Sequence, residues 1–220
     1  MIRLLNSIPR WFKQKSDYSE ISSEPDFPQG FGYKTAWLAI PSKSLDEIIK
    51  VLHLSQPVKA NWQSGLNHIY NDRKDNHVFV TPLIKGWNFV IGFGIGSFST
   101  DKENNKIFLH SLTSLAQKMP NFYYFCTHRV CEYHSWIMIE DGKIKRAFAY
   151  GDGEIFYEKG AITSQEKELD VIFGAESDYK FPDEEDVIKI ASAWSTNPLD
   201  IGENTDTEGV GILGKISNGS

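Results

Sequence analysis

The stretch FCTHRVCEYHSWIMIEDGKIKRAFAYGDGE, residues 125–154, is where the fold can be read most directly. Asp141-Gly142 and Asp152-Gly153 each supply two residues that tolerate positive φ, as a type I′ turn requires, and that turn matches the twist of a β-hairpin. With strand-forming residues on either side, the two pairs predict a three-stranded antiparallel meander over about residues 122–159. If Asp141-Gly142 is a two-residue loop, Glu140 faces Lys143, Met138 faces Lys145, Trp136 faces Ala147 and His134 faces Ala149. One face would then carry Glu132, His134, Trp136 and Met138 above small alanines. The other would carry Tyr133, Ile137, Ile139, Ile144, Phe148 and Tyr150, the better core.

Working outward, YKTAWLAI (33–40) reads as a strand, and Ser44 with Glu47 forms a capping-box pattern ahead of a helix burying Leu45, Ile48, Ile49 and Leu52. The segment 60–71 is ambiguous, because Trp62, Leu66 and Ile69 suit a helix that Gly65 weakens. HVFVTPLIKGWNFVIGFG contains two strands around Lys85-Gly86, with Pro82 pointing to an edge or a bulge. Phe108, Leu112, Leu115 and Met119 mark an amphipathic helix stopped by Pro120. Thr163 with Glu166, and Pro182 with the four acids after it, open two further helices.

These elements predict an α+β fold: an antiparallel sheet with amphipathic helices packed mainly on one face. Residues 1–32 are expected to form an amphipathic N-terminal flap and linker, 33–199 a single domain, and 200–220 a flexible Gly-rich tail.

Of the 220 residues, 40% are hydrophobic and 13% aromatic, enough for a core, and the net charge is −6. That charge argues against general binding to nucleic acid or membrane surfaces. No apolar run reaches the ~18 residues that suggest a membrane span. Cys126 and Cys131, the only cysteines, would point to opposite faces of a continuous strand. Two unpaired thiols point to the cytoplasm. No zinc spacing or cofactor fingerprint occurs, and GFGIGS (92–97) departs from the phosphate-binding patterns, so its glycines are read as permitting a bulge or close backbone approach. No cofactor is expected.

Two groups of residues could carry function. In the first, His128, Glu132 and His134 share one face of a continuous strand and have the donor types of a metal site. The two histidines would nevertheless lie about 20 Å apart at ~3.3 Å per residue, so no metal is expected. His134 with Glu132 could still perform acid–base chemistry, with His128 beside them, in a hydrolase-type enzyme. The second group is acidic. Residues 163–186 hold nine acids and two lysines, a net of −7 that exceeds the charge of the whole chain. Glu176, Asp178, Asp183, Glu184, Glu185 and Asp186 form a candidate docking surface for a basic protein.

THRVCEYHSW, AYGDGE, TPLIKGWNFVIG and FPDEEDVIKIASAWSTNPLDI resemble an uncharacterised family of bacterial proteins, over roughly Trp62 to Leu199. That resemblance carries no assigned activity and so no catalytic residue. More loosely, the small acidic chain is similar in character to bacterial immunity proteins. This likeness implies a cognate toxin, in particular a basic nuclease domain, as partner. A non-enzymatic binding module without a toxin partner is the remaining alternative.

Overall fold

A computed structural model describes residues 21–71, 76–173 and 181–217. Both Asp-Gly pairs turn as their chemistry demands, with Asp141 and Gly142 at φ 53° and 70° and Asp152 and Gly153 at 49° and 81°. They join β6 (Tyr133–Glu140), β7 (Lys143–Gly151) and β8 (Glu154–Lys159), and β5 (Phe122–His128) pairs antiparallel with β6 to add a fourth strand. The remaining strands are β1 (Thr35–Pro41), β2 (Leu54–Ala60), β3 (His77–Val80), β4 (Trp87–Ile91) and β9 (Gly211–Ile216). Together they form one antiparallel nine-stranded sheet in the order β2-β9-β3-β4-β1-β5-β6-β7-β8.

The sequence-based register holds at Glu140↔Lys143 and then shifts by one residue. Ile139 pairs Ile144 but Met138 pairs Arg146, leaving Lys145 as the extra residue of a β-bulge. Beyond the bulge every side chain of β7 changes face relative to the expected pairing. Trp136 lies opposite Phe148, stacked at 4.6 Å, and His134 lies opposite Tyr150 rather than Ala149.

Among the described residues five helices accompany the sheet: α1 (Leu45–Val51), α2 (Trp62–Asn71), α3 (Lys102–Ala116), α4 (Ser164–Glu168) and α5 (Glu184–Trp194). They cover both faces of the sheet, not mainly one. Trp62, Leu66 and Ile69 of α2 and Val187, Ile190 and Trp194 of α5 pack with Trp37, Phe125 and Trp136. Ile48 of α1 and Phe108, Leu112 and Leu115 of α3 pack with Leu38, Tyr124 and Ile137 on the other side. A strand buried on both faces is apolar throughout, so alternation along β1 or β5 could not have located the helices.

Two boundaries also differ from expectation. Residues 211–216 are not a flexible tail but β9, hydrogen-bonded between β2 and β3. Gly211 is needed there: a Cβ would sit 2.4 Å from the Phe79 ring and from the Val80 carbonyl oxygen. Because β9 covers β3, Pro82 marks no edge and lies two residues beyond Val80, the end of an internal strand. The segment read as linker joins the body from residue 21 onward. The Asp26 carboxylate accepts the Trp62 and Gln63 N–H groups at 2.8 Å each, capping α2 from a distant part of the chain, and Phe31 is buried. Residues 1–20 of the expected flap and linker lie outside the described residues. No helix among the described residues is long and apolar enough to cross a membrane.

Candidate functional site

Helix α5 starts at Asp183, whose carboxylate accepts the Asp186 N–H at 3.0 Å while Asp186 accepts the Asp183 N–H at 3.3 Å. This reciprocal capping box satisfies orphan donors at the helix start, and the acids beside it complement the positive end of the dipole. Asp186 is buried and also accepts from Lys189 Nζ at 3.0 Å, which raises the Lys189 pKa. Glu185 accepts a 2.6 Å hydrogen bond from the Tyr33 hydroxyl. The phenol is pushed up to about 12, first by this bond and then by burial. Glu184 approaches Arg129 Nη1 at 3.7 Å. Asp183 and Glu185 remain exposed and Glu184 is half-buried.

Of the six acids assigned to a docking surface, four are therefore gathered at one helix end. Each of the four already has an intramolecular partner. Glu176 and Asp178 lie outside the described residues.

The histidines separate. A 3-10 turn at Arg129–Cys131 ends with Glu132 in the left-handed conformation, φ 46°, so residues 128–136 do not form one continuous strand. The chain reverses there: Thr127 pairs with His134 and His128 with Tyr133. His134 consequently shares a face with Trp136 and α5, whereas His128 shares the opposite face with Tyr133. The expected common face of His128, Glu132 and His134 is thus broken by the turn. His134 is buried, and its Nδ1 lies 3.0 Å from the Thr127 hydroxyl. Burial holds its pKa below the usual histidine value against the pull of Glu184, Asp183, Asp186 and Glu132.

The same reversal brings Cys126, His128, Cys131 and Tyr133 to a cleft of about 310 Å³ on the other face, closed by Phe93 and Ser97. Cys126 is buried and its thiol pushed up to about 12, while Cys131 is exposed; both are free. Phe93 and Ser97 of the glycine-rich 92–97 loop line this cleft, while Gly92 lets the loop approach β3 closely, since a Cβ there would stand 2.6 Å from the His77 carbonyl oxygen. No group of three or more His, Cys, Asp or Glu suited to a metal ion occurs among the described residues.

Sequence reasoning missed the apolar part of the α5 site. Val130 at the tip of the β5–β6 turn is 72% exposed and Phe181 before the cap 59%. Tyr33 stands beside Glu185, and Phe181 lies 5.7 Å from the Tyr150 ring. Isolated exposed apolar residues are ordinary, and only their convergence on one charged helix end is informative. No sequence pattern signals it, because Tyr33, Val130 and Phe181 come from three distant segments. Comparison with protein-family models, curated proteins and solved structures finds no match for the chain.

Proposed function

We propose that this chain is an immunity protein that binds and neutralises a basic toxin domain, of the nuclease type, in the cytoplasm of its bacterium. One observation carries the reading: at the start of α5, Glu185 bonds exposed Tyr33 and Glu184 approaches Arg129, with exposed Val130 next to Arg129 in the chain and exposed Phe181 two residues before Asp183. Interfaces draw their energy from a few aromatic or apolar anchors, while surrounding charge raises the encounter rate and selects the partner. Carboxylates presented this way suit a surface built to receive phosphates. The buried state of His134 and the separation of His128 from it favour a binding role over the hydrolase alternative for these residues.

Co-expression with the product of an adjacent toxin-like gene tests the proposal. The chain should co-purify with that product and restore growth, and Val130→Asp should abolish both while remaining folded. A soluble chain that neither binds the product nor protects the cell removes the immunity reading.

A further inference from the structure

We infer that the cleft between α1 and α3, on the sheet face opposite the α5 site, binds a small amphiphilic carboxylate. The cleft encloses about 400 Å³, within the ~300–1,000 Å³ typical of small-molecule sites. Leu38, Leu112 and Leu115 supply an apolar floor, and His53, His110 and Lys118 supply the polar rim. In a chain of net charge −6, no Asp or Glu lies among the described residues lining it. A rim of one lysine and two histidines, free of carboxylates among the described residues, over an apolar floor complements an anion carrying a hydrocarbon tail.

Helix dipoles explain part of this lining, because Lys118 follows the C-terminus of α3. They do not explain His110, which sits in the middle of α3. Nor do they explain the backbone at His53, where φ is +50° at a helix-ending position that usually favours glycine. That conformation sets the imidazole on the rim, with Nε2 3.0 Å from Lys118 Nζ. Lysine has only donors, so a hydrogen bond here makes Nε2 the acceptor and puts the proton of a neutral ring on Nδ1. Lys118 keeps two further N–H donors. An entering carboxylate can therefore take charge-assisted bonds from Lys118 without breaking the Lys118–His53 contact.

Octanoate is the probe, with 1-octanol and octylamine as chain-length controls, read by NMR titration of the full chain. Octanoate should bind saturably, shift Lys118 and His53 resonances, and bind at least about tenfold more tightly than either control. Lys118→Met should weaken octanoate by about tenfold and leave octanol unchanged. Because the Lys118 side chain is exposed, this variant should melt with the parent. Ser114→Trp, which fills the cleft from α3, should abolish binding of octanoate and octanol alike. Octanol binding as tightly as octanoate, unsaturable octanoate shifts, or an unaffected Lys118→Met variant would each overturn the inference. None of these results depends on the α5 site or a toxin partner.

Discussion

Helices α4 and α5 both begin with a reciprocal capping box, yet their acids meet opposite environments. Glu166 of α4 is fully buried and accepts from Trp136 Nε1 at 2.8 Å, Arg146 Nε at 2.9 Å and the Thr163 N–H at 2.7 Å. Arg146, also buried, reaches Glu158 at 3.0 Å and the Gly160 carbonyl. At α5, Glu184 and Glu185 meet polar partners near the surface, Arg129 and the Tyr33 hydroxyl. A carboxylate enclosed by donors determines stability, because removing it strands charge in the core. A carboxylate beside water affects mainly encounter with a partner. Net charge over 163–186 therefore mixes two kinds of acid with unrelated roles.

Removing Glu166 should give the largest effect. Glu166→Ala leaves buried Arg146 with the Glu158 carboxylate and the Gly160 carbonyl, and loss of one member of a buried pair costs about 3–5 kcal/mol. Chemical denaturation measures it, and a cost below about 1 kcal/mol would erase the contrast between the two helices. Next comes Asp183→Ala, which loses the cap of α5 but strands no core charge. The expected cost is about 1 kcal/mol, visible as a small downward shift in Tm.

Reversing Glu184 and Glu185 to lysine adds two charge units at each site and moves the net charge from −6 to −2. Folding should change by only about 0.3–1 kcal/mol per site. Association with a basic partner should slow and lose salt dependence, as stopped-flow mixing at two ionic strengths can show. Unchanged association kinetics would assign these acids to the helix cap alone.

The smallest effect concerns His134. Its folded pKa is lowered by burial, so the unfolded chain binds the proton more readily. Stability should therefore fall as pH drops below about 6.5, the ordinary histidine value, and level off below the folded pKa. Denaturation curves of His134→Gln across that range should be flatter than those of the parent. Equal slopes would mean other groups control the acid limb.

Much of the local structure was legible because its causes are local. Asp-Gly pairs take positive φ wherever they occur between strands, and Thr163-x-x-Glu166 caps its helix from within four residues. The α+β class followed from those signals. The candidate site was legible only in halves. The acids at 183–186 were visible as a cluster, but their neighbours Tyr33 and Arg129 arrive through the pairing of β1 with β5. His128 and His134 looked alike until the turn at 129–131 separated them.

By itself, the sequence determined the two type I′ turns, the starts of α1, α4 and α5 and the concentration of acids after residue 163. These depend on dihedral preferences and hydrogen bonds closed within a few residues. Tertiary structure decided which face each side chain occupies and which acids are spent inside. The bulge at Lys145 carries no composition signal, yet it turns Arg146 toward Trp136 and Glu166 and brings Phe148 onto Trp136. Placement of β9 between β2 and β3 likewise depends on a gap beside Phe79 that only a glycine fits. Both outcomes are set by packing between segments far apart in the chain, where side-chain volume and unsatisfied strand hydrogen bonds outweigh local propensity.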